Sequence, residues 1–393
     1  MTVVEVLEEL KSMGSSSIKQ TLRRKIAVRL ARSGRLRNAE GFSSSRKRSF
    51  MQLLRLIAAL SMLVTSSFGA EPWELQTSGT KARLRGLSVV GENVAWASGT
   101  QGTVVRTIDG KTWEAKSIAG AADLDFRDVH AFDAQNAVLL AIGPGEKSRI
   151  YRTSDGGESW KLTYTESDPK AFLDAIAFWD RDHGIAMGDP VDGRFLILRT
   201  SDGGLTWTKN TGEGMPQALK NKGAFAASGT CLVTSGEATA WFGTGGAETA
   251  RVFRTNNRGK TWSVHATPIT AGKPTMGIFS LAILENERAV AVGGAYDQAD
   301  AIGGVAAWTI DGWKSAKPVI DRQPAGFRSC VVVVPRADPV TLVAVGLSGS
   351  DISLDEGRSW KPLGTLGFHA VGFASPQVGW AVGDEGRIGR FMP

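Results

Sequence analysis

Only two cysteines and four histidines occur among 393 residues, and they are scattered. No metal cluster of the Cys/His type can be assembled from them in sequence. Tyrosine is almost as scarce, at three copies, which leaves little for a mechanism built on a tyrosine nucleophile and an activating glutamate. Apolar runs are short, and none reaches the length of a membrane span. The Gly-rich stretches lack the strand-to-helix context of a dinucleotide site, so no cofactor is expected. Charge of one sign is missing where it would matter. Residues 1–55 hold 13 Lys and Arg against 4 Glu, a net of +9, whereas residues 56–393 hold 33 against 35. The formal +7 therefore belongs to the N-terminal segment, and a nucleic-acid partner is not expected.

What the chain does have is glycine, tryptophan and repetition. Arg199-Thr-Ser-Asp-Gly-Gly-Leu-Thr-Trp207 has a near copy in Arg152-Thr-Ser-Asp-Gly-Gly-Glu-Ser-Trp160. Variants recur at Arg106–Trp113, Arg254–Trp262 and Ser353–Trp360, and a shortened form, Trp308-Thr-Ile-Asp-Gly-Trp313, closes the fifth unit. The last tryptophans fall at 113, 160, 207, 262, 313 and 360, spaced by 47, 47, 55, 51 and 47. Such a period, filled with short strands and Gly-rich turns, predicts a β-propeller. In each copy the Asp can accept hydrogen bonds from its own turn, while Gly supplies the positive φ. The pattern resembles the Asp-box, S/T-x-D-x-G-x-T/S-W, of the BNR family that includes sialidases. These aspartates are read as turn formers, not catalysts.

Each repeat has one grammar. An apolar inner strand, such as Leu84–Val90 or Phe126–Phe132, precedes a second strand ending in an Ala/Val–Gly step, as in Ala95-Trp-Ala-Ser-Gly99 and Gly379-Trp-Ala-Val-Gly383. A third strand leads into the Asp turn and a fourth carries the Trp. Seven second strands can be counted but only six Asp turns, because the last unit ends on its third strand, Gly386–Phe391. Glu71-Pro-Trp-Glu-Leu-Gln-Thr77 reads like the missing Trp strand. The predicted fold is all-β: a seven-bladed propeller of four-stranded blades over residues 71–393, closed by pairing of the N-terminal strand with the C-terminal blade, which leaves no open edge in the ring.

Residues 1–50 read as a basic helical extension. Residues 51–70 read as a signal peptide: basic residues end at Arg55, an apolar run follows, and small residues lead to cleavage near Gly69 or Ala70. Translation starting at Met51 would account for a leader buried inside the chain; an N-terminal anchor with a basic cytoplasmic tail is the competing reading. The expected localisation is exported, periplasmic or extracellular.

Gly-Trp-Ala-Val-Gly-Asp-x-Gly together with Arg-Thr-x-Asp-Gly-Gly-x-Thr-Trp is similar to the photosystem II stability/assembly factor family. That resemblance implies a non-catalytic, monomeric propeller in a lumen or periplasm that binds a protein, with a membrane protein among the compatible partners.

The Asp turns should occupy one face, leaving the loops after the second strands and the crossovers on the other. Polar residues at the starts of the inner strands would meet there: Arg85, Arg127, Asp174, Arg328 and His369 are nominated, with Asp189, Tyr296 and Asp297 from the loops. Arginines beside these aspartates suit a polar ligand or an anionic peptide end; mutual pairing across a wet channel is the alternative. The enzymatic alternative is a sialidase-like glycoside hydrolase using Asp189 and Asp297. Cys231 and Cys330 begin inner strands two blades apart, and whether they pair is left open.

Overall fold

Ala137-Val-Leu-Leu-Ala-Ile142 is apolar on both sides, and such a strand must be covered on both faces. The computed structural model, which describes residues 71–393, meets that demand with seven four-stranded antiparallel sheets packed blade against blade. The helical extension expected over 1–50 and the leader over 51–70 lie outside the described residues. The innermost strands are Leu84–Val89, Asp125–Ala131, Leu173–Phe178, Leu232–Ser235, Met276–Ile283, Cys330–Val333 and Ala370–Ser375. They touch in that order around the channel and number the blades 1 to 7.

The cores lie between blades. Trp96 and Val104 of blade 1 pack with Phe126, Leu139 and Tyr151 of blade 2, and Phe195 of blade 3 packs with Phe242 and Phe253 of blade 4. Arginines of the third strands staple the same seams: Arg106 donates to the Ala134 carbonyl at 2.8 Å and Arg152 to that of Gly203 at 2.9 Å. Burial of apolar area drives this assembly, at about 25 cal/mol per Å²; the staples orient it.

The seventh blade is completed from the other end of the chain. Trp73–Gln76 pairs antiparallel with Ile388–Phe391, in register from Trp73↔Phe391 to Gln76↔Ile388. Trp73 is 3% exposed and packs edge-on against Phe368 and Phe391. Its indole donates to Ser350 Oγ of blade 6 at 3.1 Å. Gln76 Oε1 accepts from the indoles of both Trp113 and Trp380, tying blade 1 to blade 7. Glu71 accepts from the amide and hydroxyl of Thr365.

The turn between third and fourth strands is built as its chemistry demands. Asp155 Oδ1 accepts from Thr153 Oγ1 at 2.7 Å and from the Ser159 amide at 3.0 Å, while the Gly157 amide donates to Thr153 Oγ1 at 3.0 Å. Gly157 has φ +84°, and a Cβ there would press on the Trp96 ring. In blade 4 Asn257 fills the Asp role, accepting from the Thr261 amide at 2.9 Å and donating to its hydroxyl.

Blade 5 corrects the sequence reading. Asp311 accepts from Ser315 N at 2.9 Å and the Trp313 amide donates to Thr309 Oγ1 at 3.1 Å. Trp313 thus occupies the second-glycine position, at φ +73°, and Ala316 stands where the other turns carry Trp. The displaced indole is fully buried and packs in the same cluster as Ala316. Blade 5 keeps the tryptophan's volume by moving it three residues upstream. Cys231 and Cys330 are both buried free thiols.

Candidate ligand site at the channel mouth

The inner strands bring polar residues to one end of the channel, where a cavity of about 450 Å³ opens. Six of the eight nominated residues line it: Arg85, Arg127, Asp174, Asp189, Tyr296 and His369. The other two do not. Arg328 is 1% exposed and its guanidinium is spent on Asp351 of the same blade, Nε to Oδ2 at 2.6 Å. Asp297 is exposed on its loop and is absent from the cavity wall. The Asp189/Asp297 pair on which the hydrolase reading rested is therefore not brought together.

Three sectors make up the mouth. Blades 7, 1 and 2 supply His369, Arg85 and Arg127. Arg127 is held in place, its Nε donating to Asp125 at 2.7 Å and its Nη1 to the Ala226 carbonyl at 2.8 Å. Arg85 is different: buried Nε has no partner, and no ion pair engages the guanidinium among the described residues. Burial and then the neighbouring charge of Arg127 lower its pKa to about 10, so it remains a cation at neutral pH. His369 is pushed down to about 4 by burial and the nearby Arg85, against the Asp384 carboxylate 3.0 Å from Nε2, and is neutral at pH 7.

Blade 3 supplies the acids. Asp189 follows the second strand's Gly188, and its Oδ1 accepts the Ala224 amide at 2.9 Å. Burial raises its pKa to about 6. Asp174, 1% exposed, is raised well above the usual carboxylate range by burial and then by the charge of Asp189; its buried Oδ2 has no partner. Both shifts favour the protonated forms of these acids.

The third sector was not nominated from sequence. Phe225, Phe279 and Phe327, with Tyr296 at the rim, form an aromatic wall. Phe225 stacks on Phe279 with centroids 3.8 Å apart and planes at 10°, and Phe327 meets Phe279 edge-on at 4.7 Å. A signal existed, since Phe327 and Phe368 each directly precede a nominated inner-strand position and Phe172 lies two residues before another. It was ambiguous, because Phe368 turns instead into the blade 7 core. Among the described residues no group of three or more His, Cys, Asp or Glu is placed to hold a metal.

The class this defines is a seven-bladed β-propeller with a charged and aromatic channel mouth. No family model matches the sequence, and no curated protein does. Solved structures do. YCF48 bound to D1 peptide aligns with a TM-score of 0.59 at 18% identity, over 83% of this chain and 98% of that one. YCF48 from Cyanidioschyzon merolae aligns at 0.59 and 16% identity, over 82% and 99%. A GH74 xyloglucanase from Xanthomonas campestris aligns at 0.55 and 14% identity, over 82% of this chain but 54% of its own. At these identities the likeness is one of fold.

Proposed function

We propose that this chain is an exported, non-catalytic propeller of Asp-box repeats that binds a protein partner at the channel mouth, as an assembly or stability factor does. The observation that carries the reading is Arg85, a partly buried cation with no partner among the described residues, in a cavity walled by aromatics. A buried charge left unpaired costs stability, and an anionic group of a partner would offset that cost on binding. One structural neighbour, YCF48, has been captured with a D1 peptide, which is consistent with this use of the fold. Export rests on the leader read at residues 51–70.

The test is capture of partners from the native envelope fraction by the wild-type chain and by Arg85→Gln and Arg127→Ala. A protein retained by wild type and lost from both variants supports the reading. Turnover of a glycoside panel that disappears in Asp189→Asn would overturn it.

A further inference from the structure

Two opposite charges share the mouth without reaching each other. Arg85 has no ion-pair partner, and Asp189 uses only Oδ1, leaving Oδ2 without a protein partner among the described residues. Arg127, which lies between them in blade order, is already spent on Asp125 and the Ala226 carbonyl. Facing these charges stands the Phe225–Phe279–Phe327 wall, an apolar surface whose own rings stack on one another.

Separated charges in one cavity are satisfied together by a molecule that carries both complements. We infer that the mouth is a site for a small zwitterion with an apolar body, of the apolar α-amino acid class. Its carboxylate would lie on Arg85, its ammonium on Asp189 Oδ2, and its side chain on Phe225. The inference rests on the reading that the mouth is a ligand site and extends it from a protein partner to a free small molecule.

Each sector does distinct work. The guanidinium offers paired donors to a carboxylate. Asp189 faces the ammonium, so below about pH 6 the ammonium takes the place of the Asp189 proton. The aromatic wall offers apolar surface, with Phe225 its more accessible ring. The volume, about 450 Å³, lies in the range of small-molecule sites.

Proton release gives the binding a pH signature. The charged or titratable groups facing Asp189 are Asp174 on the inner strand and Arg127, Arg85 and His369 across the cavity. Of these, Arg85 stays charged and His369 stays neutral between pH 5 and 8. Affinity should rise from pH 5 to pH 8 as Asp189 ionises near 6.

The experiment is calorimetric titration of the full chain with L-phenylalanine, with 3-phenylpropionate, which lacks the ammonium, and with phenethylamine, which lacks the carboxylate. L-Phenylalanine should bind at least about tenfold more tightly than either analogue, the worth of one charged hydrogen bond. Arg85→Gln and Asp189→Asn should each lose a similar factor. If 3-phenylpropionate binds as well as L-phenylalanine, or L-phenylalanine does not bind, the inference is overturned. The analogue comparison needs no variant, so a misfolded Asp189→Asn cannot blur the result. Partner capture that still depends on Arg127 while L-phenylalanine fails would sink this inference alone. Capture indifferent to Arg85 and Arg127 would sink the ligand-site reading with it.

Discussion

Asp128 shows how much a single channel residue can set. It lies on the blade 2 inner strand, 5% exposed, with Oδ2 accepting the Ile176 amide of blade 3 at 2.8 Å. Burial pushes its pKa up to about 7, against the pull of that backbone N–H. The folded protein therefore binds a proton here that the unfolded chain has already lost between about pH 4 and 7, and stability falls as pH rises through that window. Asp128→Asn keeps an acceptor and removes the titration. Its thermal and urea unfolding should show a gain over wild type about 2–3 kcal/mol larger at pH 8 than at pH 5. Residues of this kind were only partly legible in sequence. Arg85, Arg127, Asp174 and His369 could be nominated because the repeat fixes where inner strands begin. Arg328 met the same criterion and failed, because its partner Asp351 lies on a strand whose facing direction the repeat did not reveal. Asp189, nominated as a loop residue, instead lies within the second strand, Gly184–Val191, but still reaches the mouth; Asp297, by the same reasoning, lies outside the cavity wall.

Among the elements, the Asp turn is the unit that the sequence displays most openly, since each donor and acceptor is local. Counting tryptophans nevertheless misplaced the fifth copy. The reliable anchor is the Thr or Ser hydroxyl that receives the second-glycine amide, and by that measure blade 5 carries Trp313 where glycine belongs. A tryptophan held at φ +73° stores about 1–3 kcal/mol of backbone strain, tolerated because the indole fills the seam that Ala316 cannot. Trp313→Gly alone should cost about 3–5 kcal/mol through the cavity it leaves. The double substitution Trp313→Gly/Ala316→Trp should recover most of that in urea denaturation, and a double variant no more stable than the single would show that the two positions do not share a seam. The aromatic wall at the mouth was only ambiguously legible for the converse reason: Phe225 and Phe327 come from crossovers, Phe279 from an inner strand and Tyr296 from a loop, with no common spacing.

At the scale of the whole molecule, the ring is closed by four residues of backbone pairing, the Trp73 indole and the side-chain bonds of Glu71 and Gln76. Trp73→Ala should lower stability by about 3–5 kcal/mol, read by chemical denaturation, because Trp73 packs on Phe368, Phe373 and Phe391 and donates to Ser350. Closure itself was legible, because six Asp turns against seven second strands left one blade short and Glu71–Thr77 matched the gap. The joint also imposes a schedule. Along the chain Trp73–Gln76 comes before all the other described strands and Ile388–Phe391 after them, so the earliest of these strands stays an orphan until the last has been made. Six blades can settle as they emerge, yet the circle stays open throughout, with an apolar tryptophan strand and the flank of blade 6 both unpaired. The last strand of blade 7, and not the first strand of blade 1, decides when the blades become a ring.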